Sequence, residues 1–150
     1  MPANHPRASR LNAVYPLVTT NALAATRDFY VRHFGFAVGF EASWFVWLAR
    51  RDDSGGEIAL AFMTPDHPSR PPGPESFDGK GLILTFQVPD AAAEAARLRA
   101  EGVALAYPPT DEPWGQRRFQ VVDPAGMTLD IVEQTEPRPG YWDRYKAVAA

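Results

Sequence analysis

Asp130 stands in the middle of an apolar stretch, VVDPAGMTLDIVEQ at positions 121–134, between Leu129 and Ile131. A carboxylate in such a place can hold a metal ion, accept hydrogen bonds from a ligand, or stay buried against a neighbouring Arg or Tyr. It can also act as a general base, which keeps an enzyme in view. An acid left alone in an apolar cavity is costly, so a partner is expected in Tyr15, in Arg117 or in water. Arg117 and Arg118 lie upstream on the preceding strand-like stretch, and alternation turns only one of them inward. Arg117 is taken as the inward one.

The remaining chemistry-bearing residues narrow the choice. His5 lies in a Pro-containing N-terminal arm, His67 in a Pro-rich stretch, and His33 at the end of a helix-like segment, where a cation suits the dipole. None of the three is read as a metal ligand. The absence of cysteine excludes disulfides, thiolate zinc sites, iron–sulfur ligation and thiol nucleophiles. A net charge of −3 with no long basic run gives no footprint for nucleic acid. No apolar run reaches the roughly 18 residues of a membrane span. The start, MPANHPRASR, lacks the apolar centre of an export signal, so a cytoplasmic protein is expected.

The elements that must position these residues repeat. VTTNALAATRDFYVRHFGF reads as a strand end, then Asn21 as a helix cap, then a stripe at Leu23, Thr26, Tyr30 and Phe34 closed by Gly35. FQVPDAAAEAARLRAEGVAL follows the same order, with Asp90 as cap, Leu98 on the helix and Gly102 as stop. The caps lie 69 positions apart and the glycines 67. Three strand candidates follow each helix: FAVGF, SWFVWLA and EIALAFM, then VALAY, RRFQVV and MTLDIVE, the last two joined by a DPAG turn. The chain therefore divides into an N-terminal arm (1–12), a βαβββ module (13–63), a Pro-rich linker or lid (64–80), a second βαβββ module (81–134) and a tail (135–150).

Paired βαβββ modules, a DFY helix ending in HFGF, the segment VPDAAAEAARLRAEG and the ending WGQRRFQVVDPAGMTLDIVE together resemble the vicinal oxygen chelate superfamily, the glyoxalase, bleomycin-resistance and extradiol dioxygenase relatives. The resemblance spans roughly residues 13–134. It implies an α+β fold in which two modules curl a mixed sheet around a pocket. It does not fix function, because the scaffold serves isomerases, lyases, dioxygenases and drug-sequestering proteins alike. In the metal-dependent members His or Glu ligands come from the first and last strands of each module. Those positions fall here on Tyr15, on Leu60 or Ala61, on Ile83 and on Asp130. Ile and Ala offer no lone pair, so no metal and no cofactor is expected.

Alternation sends Ile83, Thr85 and Gln87 to the pocket side, Thr128 and Val132 beside Asp130, and Leu17 and Thr19 beside Tyr15. Trp44 and Trp47 on opposite faces of one strand, and Trp114 near a rim, add flat walls. The expected ligand site is Tyr15, Thr19, Trp44, Trp47, Thr85, Gln87, Trp114, Arg117 and Asp130. The function expected from it is metal-independent binding or sequestration of a small, partly aromatic molecule. The alternatives are a glyoxalase-like lyase or isomerase, or a dioxygenase-like enzyme, with an atypical metal set or Asp130 as base, and a non-catalytic interaction module. A homodimer is expected from the exposed module edges and the aromatic tail GYWDRYKAVAA.

Overall fold

The computed structural model describes residues 8–69 and 71–146. In chain order the elements are β1 (Leu17–Thr19), α1 (Leu23–Phe34), β2 (Ala37–Glu41), β3 (Phe45–Arg51) and β4 (Glu57–Met63), then β5 (Ile83–Gln87), α2 (Ala91–Ala100), β6 (Tyr107–Glu112), β7 (Gln116–Val122) and β8 (Thr128–Gln134), with a short 3-10 turn over Tyr141–Arg144. The two halves share one topology. Their sheets run β1-β4-β3-β2 and β5-β8-β7-β6, with the first and last strands of each half parallel neighbours. This is the α+β arrangement of two βαβββ units that the repeat foretells.

Spacing explains how the helices dock. Thr26, Tyr30 and Phe34 recur every four residues on α1 and are its buried positions. On α2 the same role falls to Ala91, Ala95 and Leu98. Asp90 caps α2 by accepting the Ala93 N–H at 3.0 Å. Asn21 does not cap α1: the residue before that helix is Ala22, whose N–H goes to Thr20 Oγ1 at 3.0 Å, while Asn21 donates to Ser76 Oγ at 3.1 Å. The Asn21 side chain is thus engaged with the linker and no side chain caps α1.

One face of each sheet turns towards these helices. Val46, Leu48, Leu60 and Phe62 from the first sheet join Phe119, Val121, Leu129 and Ile131 from the second in a single core around Tyr30, Phe34 and Leu98. Each such buried Leu, Ile or Phe contributes roughly 1.5–3 kcal/mol relative to exposure. Polar ties cross the same junction. The Tyr30 hydroxyl donates to Asp123 Oδ2 at 2.5 Å, His33 Nδ1 meets Glu101 Oε2 at 2.6 Å, and Arg97 donates to the His33 carbonyl at 2.9 Å. Both sheets therefore spend their helix-side faces on one shared core, and the opposite, open faces expose Leu17, Phe40, Ile83 and Val122 while Ala61, Met63, Asp130 and Val132 on them are buried.

Three local expectations change. VALAY is not the sixth strand; β6 begins at Tyr107 and runs through Pro108 and Pro109, with a register shift between Tyr107 and Thr110. Prolines lack the ladder N–H and are tolerated at this site because β6 is a sheet edge. Tyr15 precedes β1 instead of lying on it, and it is exposed. The Pro-rich linker is largely exposed, but His67 within it is buried, with Nε2 3.1 Å from the Gly73 carbonyl. Phe77 of the same linker packs on the core and donates its N–H to the Thr19 carbonyl at 2.9 Å.

Candidate functional site

Register decides which side chains share the open faces. On the first sheet Phe40 pairs with Trp47, Trp47 with Ala61, and Ala61 with Leu17, so the four form one row away from the core. The row settles the choice between Leu60 and Ala61, because Ala61 lies on the open face while Leu60 enters the core. Trp47 can lie flat there because its neighbour is Gly39: a Cβ on that glycine would fall onto the indole ring. Phe45, Met63 and Thr19 make the adjacent row, and Thr19 and Met63 are buried. Trp44 sits just before β3, edge-on to Phe45 at 5.7 Å.

The open face of the second sheet is polar. Tyr107, Gln120, Asp130 and Thr85 stand in one row, and Thr110, Arg118, Val132 and Gln87 in the next. Asp130 is only 4% exposed. Arg118 Nη1 lies 3.3 and 3.4 Å from its two oxygens, and Gln120 Nε2 donates to it at 3.2 Å. Arg118 makes a shorter bond, 2.9 Å from Nε, to Glu112, and its guanidinium lies over the rings of Tyr107 at 5.3 Å and Trp114 at 5.1 Å. Burial works against the Arg118 charge, yet the Glu112 hydrogen bond and the Asp130 carboxylate hold its pKa above the ordinary value.

Arg118, and not Arg117, is therefore the inward arginine. Arg117 points to the other side, bonded to Asp111 at 2.6 Å, and it borders a groove of about 500 Å³ with Glu112, Pro113 and Arg138. The signal was present in the sequence: Phe119 and Val121 are apolar and must face the core, so Arg118 and Gln120 share the opposite parity. Glu112 lies beyond VALAY, at the far end of the observed β6, and Tyr107, the last residue of VALAY, is the first of that strand. Of the other expected residues, Thr85 adjoins Asp130 in register. Gln87 accepts from Gln134 at 2.7 Å, and Trp114 sits in the β6–β7 turn with Nε1 donating to Gln116 at 2.8 Å. Tyr15, Thr19, Trp44 and Trp47 belong to the first half, on or beside its open face.

The donor set does not suit a metal ion. Whether the positions are Tyr15, Ala61, Ile83 and Asp130, or the direct strand neighbours Leu17 and Thr85 replace Tyr15 and Ile83, Asp130 is the one carboxylate, and a guanidinium already occupies its vicinity. Among the described residues no group of three or more His, Cys, Asp or Glu is placed to hold one.

A family model for the Glyoxalase/Bleomycin resistance protein/Dioxygenase superfamily matches residues 11–131. The Escherichia coli (strain K12) protein YaeR is 33% identical over 120 residues, covering 74% of this chain and 87% of that protein. Among solved structures, a glyoxalase/bleomycin resistance protein/dioxygenase from Nocardioides superposes with TM-score 0.70 at 21% identity, over 89% of this chain and 90% of the other. TnmS3, an antibiotic binding protein from Streptomyces sp. CB03234, gives TM-score 0.62 at 26% identity, over 87% and 100%. A lactoylglutathione lyase from Agrobacterium tumefaciens gives 0.62 at 19%, over 83% and 95%, a likeness of fold. Among the described residues no helix is long and apolar enough to cross a membrane.

Proposed function

The chain belongs to the glyoxalase/bleomycin resistance protein/dioxygenase superfamily, and within it we propose metal-independent binding of a small, partly aromatic molecule on the open sheet faces. The observation that carries this is the state of Asp130. Its carboxylate faces Arg118 and Gln120, where a divalent ion would need an anionic or neutral ligand set, and the other ligand positions carry side chains such as Ala61 and Ile83. The likeness to an antibiotic binding protein at 26% identity supports a binding role. Tyr15, Trp44 and Trp47 supply flat surface, and Asp130 with Thr85, Gln87 and Arg118 orients the ligand.

A second copy of the chain completes the pocket. In one chain the two open faces stand on the far sides of the shared core, and no strand of one sheet pairs with the other. Leu17, Phe40, Ile83 and Val122 on these faces are each more than 40% exposed. A twofold pair that lays the first sheet of one copy over the second sheet of its partner covers this apolar surface and makes two equal pockets.

The test is calorimetric titration of a molecule found by thermal-shift screening, with chelator present throughout. Wild type binds, and Asp130→Leu loses affinity. Asp130→Asn costs a neutral donor about 1 kcal/mol. Binding abolished by chelator alone, or unchanged in Asp130→Leu, overturns the proposal.

A further inference from the structure

A groove of about 420 Å³ runs between α1 and the connection from α2 to β6, with Phe29 and His33 on one wall and residues 102–106 on the other. Phe29, Val103 and Leu105 pack on the core, so the floor of the groove is fixed. Of all its lining side chains, only the His33 imidazole carries a polar atom.

The state of that imidazole follows from its neighbours. Nδ1 lies 2.6 Å from Glu101 Oε2, and Arg97 Nη1 lies 3.0 Å from Glu101 Oε1. The His33 hydrogen bond and the Arg97 charge hold the Glu101 carboxyl below its usual range, so Glu101 accepts and the Nδ1 proton is donated to it. A neutral imidazole has one donor and one acceptor nitrogen, and with the proton fixed on Nδ1 the acceptor is Nε2. Nε2 has no hydrogen-bond partner among the described residues and is not sealed from solvent. Glu101 lies outside the lining, so it is the other edge of the ring, with Nε2, that the groove meets. Arg97 donates to the His33 carbonyl at 2.9 Å and the Phe29 ring stands edge-on to the imidazole at 5.2 Å, which holds both backbone and ring. The groove thus presents one oriented acceptor beside an aromatic and aliphatic floor.

We infer that this groove is a second small-molecule site, separate from the one at Asp130, and that it takes an uncharged aryl alcohol. The ring lies against Phe29, Val103 and Leu105, and the hydroxyl donates to His33 Nε2. Glu101 acts as a positioning residue: it fixes the tautomer without touching the ligand.

The experiment follows three probes by fluorine NMR at about pH 8, where an ordinary histidine is neutral. They are para-fluorophenol, para-fluoroanisole, which cannot donate, and para-fluorobenzoate, an anion with no proton to give. Wild type binds the phenol about fivefold more tightly than the anisole, a difference of about 1 kcal/mol, and the benzoate more weakly than the phenol. His33→Phe keeps a ring and removes the acceptor, so the two neutral probes become equal. Glu101→Ala frees the imidazole to change tautomer and lowers the ratio, and Glu101→Gln, whose amide oxygen still accepts from Nδ1, restores it. A merely structural Glu101 would move both affinities together. Proton NMR verifies that each variant is folded, and if His33→Phe does not fold, the shift of the His33 Hε1 resonance of wild type on adding the phenol carries the test. Asp130→Leu leaves the phenol affinity unchanged, so this site and the open faces are judged apart. Equal affinities of phenol and anisole in wild type, a preference for benzoate, an unmoved His33 resonance, a ratio that survives in His33→Phe, or binding of none of the probes overturns the inference.

Discussion

Two buried acids in this protein have opposite surroundings. Asp130 faces an arginine and an amide on the open face, whereas Asp123 lies in the core at the turn between β7 and β8. Asp123 accepts the Ala125 and Met127 N–H groups at 2.8 and 2.9 Å and the Tyr30 hydroxyl at 2.5 Å, which locks the DPAG turn and ties α1 to the second half. Burial pushes the Asp123 carboxyl above its usual range, against the pull of those donors, and it also raises the Tyr30 phenol. An acid with a raised folded pKa stabilises the fold fully below its unfolded value of 3.8, and the contribution fades as pH rises through the folded value. The melting temperature of wild type relative to Asp123→Asn, which cannot titrate, is therefore expected to be highest near pH 4 and to fall towards pH 7. A margin that grows with pH would mean that the donors outweigh burial.

The elements were legible to different degrees, for reasons that lie in their patterns. Both helices follow from four-residue spacing and the glycines after them, and β4, β7 and β8 follow from apolar alternation. β6 was misplaced because VALAY alternates like a strand while YPPTDE does not. Only its edge position lets two prolines into a sheet, and edge position is a tertiary fact. The same limit hid Glu112 from the site. The inward arginine, in contrast, was available from the parity of Phe119 and Val121. Gly39 shows what pattern alone could not say: it leaves space for Trp47 at the bulge of β2. Gly39→Ala is expected to push the indole off the sheet and cost about 1–3 kcal/mol of stability by overpacking. Chemical denaturation with tryptophan fluorescence measures both effects. An unchanged midpoint and spectrum would show that Trp47 does not depend on this contact.

At the scale of the whole molecule, the shared core takes the helix-side faces of both sheets, so the proposed pocket needs a second copy to cover the opposite faces. The described part of the aromatic tail folds back on its own chain, with Trp142 and Tyr145 still exposed. Trp142 donates to the Trp114 carbonyl at 3.0 Å and Tyr141 lies 6.5 Å from the Trp114 ring, so the tail braces the β6–β7 turn of its own chain. In the proposed pairing the covered surface is that of the sheet faces, at Leu17, Phe40, Ile83 and Val122. Light scattering at tens of micromolar is expected to give the mass of two chains, and Phe40→Glu to shift it towards one by placing a charge on the covered face. A monomeric wild type would remove the second copy from the account. The central claim, that Asp130 serves a ligand without a metal, has a more direct test in elemental analysis of protein purified without added metal or chelator. The expected result is a trace amount of transition metal per chain. Near-equimolar zinc, iron, manganese or nickel would contradict it.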